Sequence, residues 1–134
     1  MTVTVVVIED EPATRDVIVG YLTRRGNHVT ACGTLAEASR ALRDVRPDVV
    51  VSDVGLPDGN GADFCFDNVP RLPRARWLIM SAESEMLRHA RTLVERPDSP
   101  PFNLFDKPVP LRALDDVIRQ AMFALPPMQS SAAD

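Results

Sequence analysis

Five polar positions in this chain are of types that could do chemistry together. They are Glu9-Asp10, Asp53, Ser81 and Lys107. Each stands where an apolar run ends. Val3 to Ile8 runs into Glu9-Asp10-Glu11, Val49-Val50-Val51-Ser52 ends on Asp53, and Phe102 to Phe105 runs into Asp106-Lys107-Pro108. If these ends meet, the carboxylates of Glu9, Asp10 and Asp53 repel one another unless some hold protons or a cation joins them. Mg²⁺ suits a site of one or two carboxylates completed by water and phosphate oxygens. A carboxylate in such a site can attack a phosphoryl group and form an aspartyl phosphate. That transfer asks mainly for positioning and charge neutralisation. Lys107 would supply a fixed positive charge, Ser81 a hydroxyl donor, and Ala82 room for the group.

The elements that must position these residues can be read from the periodicity. The Val run before Asp53 is near-continuous and bounded by turn residues, the mark of a strand buried on both faces. The Gly- and Pro-rich stretch Val54 to Gly61 follows it. Val3 to Ile8 reads as the first strand. Pro12 sits near a helix start, where its missing N–H is harmless. Val17, Ile18, Tyr21 and Leu22 make an apolar stripe, and Gly26 is placed to end that helix. His28 to Cys32 reads as a short second strand. Thr34-Leu35-Ala36-Glu37 is a capping-box pattern. A short helix is predicted over Ala62 to Val69, closed by Pro70 and Pro73. Trp77 to Met80 makes the fourth strand, Glu85 to Glu95 a helix, and Phe102 to Phe105 the fifth strand. Leu111, Leu114, Val117, Ile118, Ala121 and Met122 mark the last helix. Strand and helix thus alternate five times, which predicts a doubly wound parallel α/β sheet with helices on both faces.

At 134 residues, 45% apolar and 25% charged, the chain has the make-up of one soluble domain. We place that domain at residues 1–126 and a polar tail at 127–134. A formal net charge of -4 gives no electrostatic reason to expect nucleic acid as a partner. No apolar stretch reaches membrane-spanning length, so the expected location is cytoplasmic, with no membrane partner. Cys32 and Cys65 form no CxxC, and buried free thiols are the favoured reading.

The chain resembles a response-regulator receiver domain of two-component signalling. The residues that carry the likeness are Glu9-Asp10, Asp53 with Leu56-Pro57 and Asn60-Gly61, Ser81-Ala82, and Lys107-Pro108. Each motif is weak alone, but together they are specific, and the likeness spans Val3 to about Ala124. It implies the flavodoxin-like strand order 2-1-3-4-5. It also implies that Asp53 is the phosphoacceptor, with a sensor histidine kinase or a histidine phosphotransfer protein as donor. Mg²⁺ would be bound by Asp10, Asp53 and the Gly55 carbonyl, with Glu9 acting through water. Lys107 would pair with Asp53, Ser81 would move toward the phosphoryl group, and the Lys107-Pro108 bond would be cis. Output would go to a downstream effector protein, with a homodimer as a further option. Self-phosphorylation and autodephosphorylation would be the only reactions, with no separate metabolite turned over.

Three departures from the family pattern stand out. The switch position three residues before the lysine is usually aromatic and is Leu104 here. Arg96 to Asn103 is long and Pro-rich. Asp63 to Arg76 is compressed, which predicts a short third helix. Two other functions compete. A phosphorylation-independent scaffold is made possible by the missing switch aromatic and disfavoured by the intact acids and lysine. A phosphatase of the haloacid-dehalogenase type would need an acidic residue two positions after Asp53, where Gly55 stands. The remaining candidates have plainer readings. Glu11, Asp58 and Asp63 suit turns and helix starts. His28 and His89 are isolated, and the Arg71, Arg74 and Arg76 cluster suits a solvated face.

Overall fold

The protein is described by a computed structural model covering residues 2–97 and 102–123, the side chains of 121–123 excepted. The predicted tail at 127–134 and the boundary at 126 lie outside the described residues. The elements are β1 (Thr4–Ile8), α1 (Pro12–Arg24), β2 (His28–Cys32), α2 (Leu35–Asp44) and β3 (Val49–Asp53). A two-strand hairpin follows, β4 (Gly55–Leu56) and β5 (Gly59–Asn60). Then come α3 (Gly61–Asn68), β6 (Arg76–Ser81), α4 (Ser84–Val94), β7 (Phe102–Asp106) and α5 (Leu111–Phe123). The main sheet is parallel, in the order β2-β1-β3-β6-β7. With the hairpin set aside this is the predicted order 2-1-3-4-5.

The alternation of side chains along each strand divides the core in two. Val6, Ile8, Val50, Trp77 and Ile79 face α2, α3 and α4. Val5, Val7, Val49, Val51, Leu78 and Met80 face α1 and α5, where Ile18, Leu22, Leu114 and Ile118 meet them. Every residue of β3 is buried, as its unbroken Val run requires. Each fully buried Val contributes about 1.5 kcal/mol or more. One member of the predicted α1 stripe does not join the core. Val17 is 57% exposed, because Ile18 and Leu22 already fill the space over the sheet.

Helix starts follow local chemistry. Glu11 Oε1 accepts from Thr14 N–H at 2.7 Å, with Pro12 in the first turn of α1. Thr34 Oγ1 accepts from Glu37 N–H, while Glu37 Oε1 accepts from Gly33 N–H at 2.6 Å. Asn60 caps α3 through Asp63 N–H. That helix has 8 residues and gives way to a 3-10 turn at Val69–Arg71, so the compressed segment does make a short helix. Both cysteines are buried and free.

Candidate functional site

A parallel sheet sends the C-terminal ends of its strands to one edge. Here β1 and β3 are neighbours whose connections leave in opposite directions, β2 lying on one side and β6 on the other. Such a switch point opens a crevice at the strand ends. Glu9 and Asp10 leave β1 into it, Asp53 ends β3, Ser81 ends β6 and Lys107 follows β7.

Ligand oxygens of Glu9, Asp10 and Asp53 all lie within 4.8 Å of one another. Lys107 Nζ lies between two of them, 2.6 Å from Glu9 Oε1 and 3.2 Å from Asp53 Oδ2. Glu9 is fully buried, Asp53 nearly so, and Asp10 is exposed. The second Glu9 oxygen accepts from Glu11 N–H at 3.0 Å.

The charges here do not balance. One ammonium faces three carboxylates, leaving two negative charges uncompensated. Burial pushes the Glu9 carboxyl above its usual value, and the Lys107 contact opposes this without winning. Asp53 is raised for the same reason, with Lys107 opposing and Asp10 adding to the rise. Lys107 has burial working against its charge, yet two carboxylates hold its proton more tightly than usual. The directions agree physically: one cation shared by two acids is well served, while each acid receives half a partner. An all-oxygen cluster with this deficit suits a hard divalent cation.

The other predicted residues fall at the same edge. Gly55 stands in β4, two residues past Asp53, with the Met86 side chain of α4 beside it. Ser81 is buried, but its hydroxyl accepts from Glu83 N–H at 3.0 Å, so it is engaged with the loop that starts α4. The Lys107-Pro108 bond is cis. Leu104 is half-buried and packs in the α2–α4 half of the core.

Three residues make contacts that the sequence reading did not include, although Asp58 among them was already a turn or cap candidate. Arg15, one turn into α1, donates from Nη1 to the Glu9 carbonyl at 3.0 Å and braces the acidic turn. Asp58 accepts from Leu35 and Ala36 N–H at 2.8 and 3.0 Å, tying the loop after Asp53 to the start of α2. These are tertiary contacts, and only a helix-start pattern at Thr34 hinted that free N–H groups lay nearby. The third, Ser52, donates from Oγ to the Asp53 carbonyl at 2.8 Å.

Residues 5–119 match the family model described as the response regulator receiver domain. The chain is 30% identical over 135 residues to the DNA-binding transcriptional regulator NtrC of Azospirillum brasilense, covering 98% of this chain and 26% of that protein. It is 33% identical to the probable transcriptional regulatory protein TcrX of Mycobacterium tuberculosis, covering 84% of this chain and 49% of that protein. The chain therefore spans about a quarter to a half of the length of these relatives. Among solved structures, a CheY-like receiver domain protein from Methanospirillum hungatei superposes with a TM-score of 0.79 at 16% identity, covering 92% of this chain and 95% of that one. The alternating strands and helices, the acids at the switch point and the lysine opposite them thus have one common explanation: this chain belongs to the response regulator receiver domain family.

Proposed function

We propose that Asp53 accepts a phosphoryl group from a phosphohistidine of a sensor histidine kinase or histidine phosphotransfer protein. The observation that carries this reading is the convergence of Glu9, Asp10 and Asp53 on one ammonium with negative charge left over. An Asp53 carboxylate oxygen attacks phosphorus. The bond from phosphorus to the donor imidazole breaks, and its electron pair stays on the imidazole nitrogen. Asp10, Asp53 and the Gly55 carbonyl would hold Mg²⁺, with Glu9 acting through water. When bound, that ion supplies charge neutralisation for the phosphoryl oxygens. Lys107 leaves its Asp53 contact for a phosphoryl oxygen, its proton retained. Ser81 turns its hydroxyl proton from the Glu83 carbonyl, 3.4 Å away, to another phosphoryl oxygen. That exchange pulls on the loop that begins α4 and changes the surface offered to an effector protein. Leu104 brings no ring to this movement, so Ser81 and α4 carry it.

An apolar groove of about 500 Å³ beside Lys107, walled by Val17, Pro108, Val109 and Leu111, gives the phosphodonor a surface to rest on. The exposed Val17 belongs to it. Among the described residues no helix is long and apolar enough to cross a membrane. The DNA-binding description of relatives belongs to those whole proteins. For this chain the net charge of -4 favours protein partners over nucleic acid.

The test is incubation with Mg²⁺ and a small phosphodonor, followed by intact mass. Wild type should gain one base-labile phosphoryl group, and Asp53→Ala none. A folded wild type that gains nothing, or an Asp53→Ala variant that gains the same mass, contradicts the proposal.

A further inference from the structure

The mechanism above uses the Asp53 carboxylate and leaves its peptide unexplained. That peptide sits in the tightest packing at the strand ends. Ser52 points to the opposite side of β3 from Asp53, into the half of the core under α3. It is fully buried, and its hydroxyl donates to the Asp53 carbonyl at 2.8 Å. The first residue of α3 closes over the pair. Gly61 N–H donates to the Val54 carbonyl at 2.7 Å. A Cβ on Gly61 would fall 1.9 Å from the Asp53 carbonyl oxygen and 2.6 Å from Ser52 Oγ. Beneath, the fully buried Cys65 thiol of α3 interacts with the Ser52 hydroxyl. On the other side Val54 N–H donates to the Met80 carbonyl, which ties the same turn to β6.

We propose that Ser52 is a positioning residue for phosphoryl transfer, fixing the Asp53 peptide against the first turn of α3 so that the carboxylate meets Lys107 and the attacked phosphorus in one orientation. The inference rests on the phosphoacceptor reading of Asp53. Its physical logic is that the site pulls on Asp53 in several directions. Two neighbouring carboxylates repel it and one ammonium attracts it. A side chain held only by the end of a strand would follow these pulls. A buried hydrogen bond to its own carbonyl, with helix backbone packed on top, leaves only the side-chain torsions free. Misplacement by about an ångström costs such a reaction up to about a hundredfold. Ser52 touches neither substrate nor acceptor oxygen, so it acts through Asp53 alone. The hydroxyl is the part that matters, since a methyl group would fill much of the same space.

The experiment compares Ser52→Ala, Ser52→Thr and Ser52→Val in the full chain. Thr and Val strain the packing equally and differ in the hydroxyl. The readout is the maximal rate of Asp53 phosphorylation by a small phosphodonor at saturating Mg²⁺, well below each unfolding midpoint. Ser52→Ala should lose about tenfold in that rate, and Ser52→Thr should exceed Ser52→Val by a similar factor. Half-saturation by the phosphodonor should stay within about twofold, since Ser52 touches no substrate. Equal rates for Thr and Val overturn the proposal, even if Ser52→Ala fails to fold. So does a folded Ser52→Ala with the wild-type maximal rate. Absence of phosphorylation in wild type would instead overturn the phosphoacceptor reading itself.

Discussion

Two buried carboxylate sites lie at different places in this fold, and they are charged in opposite senses. At the switch point, Glu9, Asp10 and Asp53 share a single ammonium. Near the start of β1, Asp115 of α5 meets two guanidiniums, Arg25 at 3.1 Å and Arg119 at 3.0 Å, both on Oδ2. Asp115 is slightly more buried than Asp53. One site lacks positive charge and the other has more than it needs. A buried acid with surplus cations ties helices together, here α1 to α5. A buried set of acids with a deficit is held in a state that a further cation would relieve. Burial alone would have marked both as functional; the charge balance separates them.

The largest expected effect comes from worsening the deficit. Lys107→Met leaves Glu9 Oε1 buried with no counter-charge. Breaking a buried pair in this way should cost about 3 kcal/mol of unfolding free energy in chelator. Added Mg²⁺ should then restore more stability than it adds to wild type, because the variant offers more uncompensated charge. Denaturant unfolding with and without Mg²⁺ measures both, and an equal Mg²⁺ gain in the two proteins would contradict the charge argument.

The next effect is a pH dependence. Glu9 and Asp53 hold their protons more tightly when folded than the ordinary values of 4.5 and 3.8. Across the window above those values the native chain binds protons that the unfolded chain has released. Their contribution to metal-free stability therefore falls as pH rises through that window. Wild type and Glu9→Gln should diverge there, the variant showing the flatter profile. A wild-type curve that rises more steeply than the variant's would reverse the sign and refute it.

Asp115→Asn should act on stability alone. Its two cations are about half exposed, so solvent already screens them and the loss should be about 1 kcal/mol. Mg²⁺ affinity and phosphorylation rate should stay at wild-type values; a change in either would couple the two sites and blur the distinction. The smallest effect belongs to Asp58→Ala, which frees the Leu35 and Ala36 N–H groups at the start of α2. These bonds hold the Asp58 carboxyl below its ordinary 3.8. Its stabilisation is therefore present above that value and lost as pH falls through the folded one. The midpoint difference between wild type and Asp58→Ala should shrink in acid, and a difference that persists would assign the effect elsewhere.

Much of this is legible in the amino-acid sequence. The Val run of β3, bounded by turn residues, reads as a doubly buried strand, and every residue of it is buried. With that strand placed, the acids and lysine at the other strand ends followed. What escaped was tertiary. Asp58 reads as a turn residue, and its bond to α2 joins positions 23 apart in sequence. The β4–β5 hairpin is two residues per strand, too short for any alternation to show. Val17 fits the apolar spacing of α1 yet borders the groove, since spacing fixes a stripe but not its edge. Ser52 looked like a strand residue, and nothing in its neighbours revealed the close approach of Gly61.

On the proposed function, uncompensated negative charge at the switch point would hold Mg²⁺. This is tested most directly by titrating Mg²⁺ into wild type, Asp10→Asn and Asp115→Asn and following binding by calorimetry. One Mg²⁺ should bind wild type and Asp115→Asn alike, with affinity at least about tenfold weaker in Asp10→Asn. Equal affinity in Asp10→Asn, or loss of binding in Asp115→Asn, would contradict the account.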